Sequence, residues 1–446
     1  MLEGFAMSNK MPGAIRAALY ALRGGFLIRP FLIAITLGVS GAVLSSLEER
    51  FPALQAAIPT TLFPSHEDPQ VAQSILSTIA TGTMTVVSIV FAILLMTLTL
   101  ASTQFSPRIL TSFVRDHVTQ WTLGIFLGTF SYCIAGLPAA RSLPHPFAPV
   151  ATVTGAMALA PICVGWLIYF IHHISNSISV NTIIDRIRQD TELVIDELMP
   201  YPRSPFHHGR TDTFSESPGF AVPSRASGYI RYVDILRLKR LAKHYGLGIR
   251  LERRVGHFIS ESVTLFRVTR GERVTTQVSQ ELLSAVEIGP SRTMQQDIEF
   301  GVVQIVDIAL RAISPAVNDP TTAITCVDQL SCILVRWLSR TPASSCYYDP
   351  PHVLRVIVPW IGIDGLLDLA FEQIRYYSAG DAAVSLRLMR SLSDICSTVD
   401  DDNVRRLFLE RGRALLEACS LKLPEDDLDR LRRRLSTLTD YCAIAV

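Results

Sequence analysis

The densest set of groups able to do chemistry lies in "RTMQQDIEFGVVQIVDIALRAISPAVNDPTTAITCVDQL". Within it Arg292, Asp297, Glu299, Asp307, Arg311, Asn318, Asp319 and Thr321 interrupt an otherwise apolar stretch. An arginine, carboxylates and the backbone amides of a helix start can together bind an anion or a phosphate. The same residues can instead cap helices and pair with one another, since burying any one of them alone is costly. Asp307 and Arg311, four apart, have the spacing of a helical ion pair, which at a surface contributes only about 0.3–0.5 kcal/mol. Asn318 or Asp319, before Pro320, supplies a cap and a first-turn proline for a following helix. No Gly-rich phosphate loop, no HExxH and no nucleophile beside a base occurs, so no reaction class is indicated and the chain is not read as an enzyme. Its eight cysteines form no CxxC pair, and neither a metal site nor a cofactor is expected.

A second pattern is a stripe of hydroxyls. Ser74, Thr78, Thr81, Thr85, Ser88, Ala92, Leu95, Thr99 and Ser102 recur at spacings of four and three, which on a helix is one continuous seam, polar at both ends and apolar at Ala92 and Leu95. Small hydroxyl residues let helices approach closely, so the seam can be a packing face within a bundle. Alternatively, copies of this helix surround an axis, the hydroxyls line water-filled ends and Leu95 stands at a constriction that dewets. No Asp, Glu, Lys or Arg falls inside the apolar runs, which disfavours a charge-coupled intramembrane site.

These residues need elements to hold them, and composition says where those elements sit. With 49% hydrophobic and 18% charged residues and a mean hydropathy of +0.31 over 446 residues, part of the chain belongs in lipid. Four charge-free runs are long enough to cross a bilayer: 31–47, 71–104, 118–140 and 147–171. Lys10, Arg16, Arg23 and Arg29 precede the first, Arg108 and Arg115 separate the second from the third, and Arg186 and Arg188 follow the fourth. The positive-inside rule then puts both termini in the cytoplasm. Between the second and third spans, Ser106 can cap and Pro107 begin a new helix, with Arg108 and Arg115 seven apart at headgroup level, an elbow facing lipid.

Charges become frequent after residue 180. Helical spacing continues through Leu198, and Pro200 and Pro202 end it. "YPRSPFHHGRTDTFSESP" reads as a linker. "SGYIRYVD" and "LGIRLERRVGHFISESVTLFRV" alternate like strands around a short helix at 236–244, with the rhythm of a lipoyl-like barrel-sandwich module that lacks its lysine. Beyond 276 the segments, among them "HVLRVIVPWIGIDGLLDLAFEQIRYYS", read as amphipathic helices of a bundle. The last helix starts acidic and carries its arginines later, which is a solvated face, and nucleic acid is not an expected partner. The domains are thus 1–180, a four-span α-helical transmembrane domain; 181–219, a cytoplasmic helix extension and linker; 220–275, a small β-rich, barrel-sandwich-like module; and 276–446, a helical cytoplasmic domain.

With "QFSPRIL", "GIFLGTFSYC", "SGYI", "RVGHFI" and the long "RTMQQDIEF…" stretch in hand, the chain resembles the bacterial inner-membrane proteins grouped as domain-of-unknown-function family 2254. The resemblance implies a few N-terminal spans in the bacterial inner membrane, a cytoplasmic domain and no set activity. His257 in "RVGHFI" stands where the resemblance implies an acidic residue, which speaks against a metal or ionic role there. The expected function is a homo-oligomeric, channel-like or pore-forming membrane protein with a cytoplasmic regulatory vestibule, its partners being membrane lipid, copies of itself and a small ion or anion. The alternative is a membrane-anchored scaffold or sensor whose helical domain binds a partner or anion through the Arg292–Thr321 region.

Overall fold

In a computed structural model, residues 28–51, 68–104, 117–142, 146–177, 179–202, 213–214, 219–350 and 352–443 are described, apart from the side chains of 100–104, 177 and 442–443. The chain divides into two compact units, Met1–Ser179 and Val180–Val446.

Among the described residues the first unit holds four helices, α1 (Ile28–Arg50), α2 (Pro69–Gln104), α3 (His117–Gly136) and α4 (Val150–Ser177). All four are long and apolar enough to cross a membrane. α3 is the pillar of the group, with α1, α2 and α4 all packed on it. Glycines let them close in. Gly124 and Gly128 of α3 take Ile33 and Leu37 of α1, and Gly41 of α1 lies against the backbone of Tyr132, the small-residue contact that helices use where lipid offers no hydrophobic drive. Between α3 and α4 the bonds are polar: the Trp166 indole donates to the Thr122 hydroxyl at 3.0 Å, and Tyr132 Oη donates to the Thr152 carbonyl at 3.2 Å.

α1 runs one turn beyond the charge-free segment and so brings in Glu48, which is fully buried. Its carboxylate accepts from the Ala151 and Thr152 amides at 2.7 and 3.2 Å and from the Thr152 hydroxyl at 3.3 Å. These are first-turn amides of α4 that have no partner inside their own helix, and the positive end of the helix dipole favours an anion there. Next to it, Arg141 pairs with Glu49.

The second unit begins with α5 (Val180–Leu198), so the helical pattern after residue 171 is carried by two helices. Two small sheets follow. β1 (Phe220–Pro223), β5 (Thr264–Val268), β3 (Ile249–Leu251), β8 (Val353–Ile357) and β7 (Cys346–Asp349) form one in that order; β4 (Phe258–Ile259), β2 (Gly228–Val233) and β6 (Val286–Gly289) form the other. α6 (Ile235–Tyr245) and α7 (Thr276–Leu283) complete this layer, and their Leu238, Ala242, Val278 and Leu282 join Phe266, Val268, Ile249 and Val356 in one core.

The expected barrel-sandwich does not close among the described residues. "RVGHFISESVTLFRV" does give two strands and a turn, but β4 pairs with β2 and β5 with β1 and β3, so the two strands enter different sheets. "HVLRVIV", expected to be helical, forms β8, which runs parallel to β3 and ties the region after 340 into the first sheet.

Seven helices are described besides these, counting α5: α8 (Ile298–Ala312), α9 (Pro320–Leu338), α10 (363–378), α11 (Ala382–Cys396), α12 (Asp402–Ser420) and α13 (Glu425–Ala443) follow it in sequence. The middle of α10, Asp368–Glu372, is a π-helical stretch. α8 and α9 form an antiparallel pair with α5 laid across both, and α11, α12 and α13 pack on from α9. Asp196 of α5 binds Arg336 of α9 and Arg340 just past its end, at 2.8 Å to the Arg336 Nε and 2.8 Å to Arg340; the Arg336 hydrogen bond holds its carboxyl below the usual carboxylate range.

A Cβ at Gly41 would lie 2.6 Å from the Tyr132 carbonyl oxygen and 3.1 Å from its Cα, backbone atoms that cannot swing aside. Gly41→Val should therefore cost about 1–3 kcal/mol of stability, read as a lowered unfolding temperature in detergent. Gly165→Val, at a position with open space around it, should leave that temperature unchanged.

Candidate functional site

The eight residues picked from the sequence separate into two groups. Arg292, Asp297 and Glu299 gather at the N-terminal end of α8, while Asn318, Asp319 and Thr321 lie past its C-terminal end. The 15 residues of α8, at 1.5 Å each, put about 22 Å between the groups. Asp307 and Arg311 are half-buried along the helix between them.

At the first end, Asp297 is the N-cap of α8 and accepts from the Phe300 amide at 3.0 Å. Its two carboxylate oxygens also take a fork from Arg292, Nε and Nη2 each at 2.7 Å, and the Asp297 side chain is 2% exposed against 19% for Arg292. The guanidinium lies over the Phe300 ring, 5.5 Å from its centre. Glu299, in the first turn of α8, pairs with Arg254 at 3.1 Å; burial pushes its carboxyl above the ordinary range while Arg254 pulls it back.

The second partner in this cluster is the turn of the β layer around "RVGHFI". Gly256 has a φ of +87° and faces Asp297 and Arg292 so closely that any side chain would collide with both carboxylate and guanidinium. A residue here must combine left-handed backbone with no Cβ, which only glycine does. His257 beside it is half-buried. Burial, then Arg254, Arg292 and Arg253, hold its imidazole below the ordinary 6.5, with Asp297 pulling the other way. The departure that argued from sequence against an ionic role thus sits within an ionic cluster.

The strand β2 completes the joint. The Gln296 side chain accepts from the Val233 amide at 2.9 Å and donates to the Val233 carbonyl at 3.3 Å, while Arg231 donates to the Ser291 carbonyl at 2.8 Å. Sequence reasoning missed Arg231, Gln296, Arg254 and the central place of Gly256. Only the glycine next to a charged pair, in "RRVGH", offered a signal.

At the other end the cap falls to Asp319, which accepts from the Thr322 amide at 3.1 Å and from its hydroxyl at 2.6 Å; these bonds hold its carboxyl low. Asn318 takes the left-handed turn before it, at φ +50°, a conformation asparagine tolerates better than most residues. Thr321 is exposed in the first turn of α9.

The seam lies in the first unit. Ser74, Thr78, Thr81, Thr85, Ser88, Ala92, Leu95 and Thr99 are all exposed, Leu95 by 63%. The opposite side of α2, with Ala72, Leu76, Ala80, Thr83, Val87 and Val90, is the one buried against the other helices. Among the described residues the seam is not a packing face of the first unit. Its hydroxyls turn back on their own helix: Thr78 donates to the Ser74 carbonyl at 2.7 Å, Thr85 to Thr81 at 2.9 Å, Ser88 to Met84 at 3.1 Å and Thr99 to Leu95 at 2.8 Å. Ser102 is on the same helix, in the turn whose side chains are outside the described residues, and the elbow residues Ser106, Pro107, Arg108 and Arg115 lie outside them altogether.

Two outcomes follow for the joint. Asp297→Ala strips a buried arginine of its partner and α8 of its cap and should destabilise the protein by about 3–5 kcal/mol, measured by denaturant unfolding in detergent. His257 is harder to protonate folded than unfolded, so the unfolded chain binds more protons below 6.5. Stability is then full above that value and falls as the pH drops below it, levelling off once the lowered value is passed. His257→Gln should remove this component from the pH profile of the unfolding temperature.

Residues 23–394 match the family model described as "Predicted membrane protein (DUF2254)". An uncharacterized protein of Mycobacterium tuberculosis and another of Mycobacterium bovis are each 34% identical to the chain over 424 residues, covering 93% of it and 80% of their own length. No solved structure matches the chain. On its own sequence, and with four helices fit to cross a bilayer, the chain belongs to the DUF2254 family of predicted membrane proteins.

Proposed function

We propose that the protein is a homo-oligomeric, channel-like membrane protein in which the α2 helices of several copies surround an axis and the second unit forms a regulatory vestibule. In this reading the chain lies in the bacterial inner membrane with both termini and the second unit in the cytoplasm, and it passes a small ion rather than catalysing a reaction.

The observation that carries the reading is a contrast between outer faces. α1 presents Phe31, Leu32, Ile35, Val39 and Val43 outward, and α4 presents Ile162, Val164, Ile168 and Ile171, as helices facing lipid do. α2 presents a row of hydroxyls, Ser74, Thr78, Thr81, Thr85, Ser88 and Thr99, beside the apolar Met84, Ile89, Leu95 and Met96. Acyl chains offer a hydroxyl oxygen no hydrogen bond, whereas water or a close neighbouring helix does. Because each back-bonded hydroxyl has spent its proton on a carbonyl, the oxygen it turns outward is an acceptor, suited to water and to cations. Leu95, with Ala92 one turn away, would form the dry ring.

The sensor alternative gains less support. Arg292 and Asp297 neutralise each other in a two-bond fork, and the α8 N-terminus is already filled by a carboxylate of the same chain.

Reconstituted wild-type protein should show a small, gated conductance in planar bilayers. Leu95→Ser, by wetting the ring, should raise the leak several-fold, and Thr85→Leu should lower it. Silent bilayers for wild type and Leu95→Ser alike would refute the channel.

A further inference from the structure

Residues 220–289 hold twelve Lys and Arg against six Asp and Glu, an excess of positive charge in a chain whose formal total is +1. α6 gathers four of these cations, Arg237, Lys239, Arg240 and Lys243. Its inner side is fixed by Leu238 and Ala242, both fully buried in the core of the β layer. Outward it shows Leu236, Arg240 and Lys243, spaced i, i+4, i+7 on one line, with Leu236 60% exposed. Lys243 keeps one partner, Asp349 at 3.1 Å, and remains largely open to solvent.

More cations frame the C-terminal end of this helix. Arg273 donates to the Tyr245 carbonyl at 3.3 Å and Arg270 to the Gly246 carbonyl at 3.4 Å. The turn that carries them rests Gly271 against Phe220, 41% exposed. Two large apolar side chains are thus left in the open among cations. A merely solvated face accounts for the cations and leaves Leu236 and Phe220 unused.

We propose that this face lies on an anionic lipid surface, with the cations at acidic headgroups and Leu236 and Phe220 dipping into the interface. Charge names the occupant, and the exposed leucine in a basic amphipathic helix selects a bilayer over a soluble polyanion, which has no use for it. Lipid is at hand, because the same chain has four helices fit to cross a membrane. The inference is independent of the channel reading; it requires only that the protein sit in a bilayer.

The test uses the full chain in nanodiscs of phosphatidylcholine alone or mixed with phosphatidylglycerol. Cys332→Ser and Cys442→Ser clear the background, the other six thiols being buried. A nitroxide on Leu236→Cys is then scored for collision with oxygen, which prefers lipid, and with a nickel chelate, which stays in water. Phosphatidylglycerol should raise the first and lower the second at position 236, and likewise for a label on Phe220→Cys, but not for one on the exposed Leu421→Cys. High salt should reverse the effect. Arg240→Gln and Lys239→Gln should each raise the phosphatidylglycerol content needed for half the change about five-fold. Equal accessibility in both compositions overturns the proposal. So does exclusion of nickel in both, which would mean that protein covers the face, and so does nickel exclusion brought about by duplex DNA in neutral nanodiscs, which would assign it to nucleic acid.

Discussion

A carboxylate with almost no access to water is stable only when it is paired and hydrogen-bonded, and Asp297 meets that condition in a site enclosed from three sides. The Arg292 fork takes both oxygens, the first turn of α8 donates an amide, and Gly256 closes the remaining side with nothing larger than hydrogen. Because Arg292 and Asp297 belong to the helical region and Gly256 to the β layer, the pair fixes where one meets the other. Loss of Arg292 would leave the buried Asp297 charge without its partner, and that penalty exceeds what the ion pair is worth in its own right; a side chain at Gly256 would collide with both. The bonds between Gln296 and β2, and that from Arg231 of β2 to the Ser291 carbonyl, repeat the same connection with neutral and surface groups. The "RVGHFI" and "RTMQQD" stretches, 33 residues or more apart in the chain, are two halves of one structural joint.

The first unit solves a different problem. Without water to drive helices together, α3 is held by shape and by hydrogen bonds. Glycine notches admit α1, and hydroxyl and indole groups bridge to α4. α2 differs in kind. Its buried side is built of Ala, Leu, Val and Thr as on its neighbours, yet its outer side carries a row of hydroxyls among exposed apolar side chains. Close packing is satisfied on one side and left open on the other, as expected of a helix made to meet something outside its own chain.

Much of this could be read from the residues. Four long charge-free runs are legible because the bilayer sets their length, and the α2 seam because helical periodicity needs no tertiary knowledge. Asp319 and Pro320 marked the start of α9 by capping chemistry alone. What escaped was long-range. "HVLRVIV" alternates well enough to be a strand, but its apolar content also fits a helix, and only pairing with β3 decides between them. Glu48 sits a single residue beyond an apolar run and looked like part of a polar flank, because its partners are more than one hundred residues away. The expectation of a barrel failed for the same reason: strand rhythm is local, whereas the choice of sheet is not.

Glu48 also bears on how the protein is made. The first helix supplies the anion that the fourth helix needs at its start, and the fourth is synthesised last of the group. Without the fourth helix, the Glu48 carboxylate lacks the Ala151 and Thr152 amides that it accepts from in the folded chain. Trimming the first helix from the finished chain, as a leader would be trimmed, would take away a part of the fourth. The start of the fourth helix is thus fully capped only once the first and fourth helices are both in place.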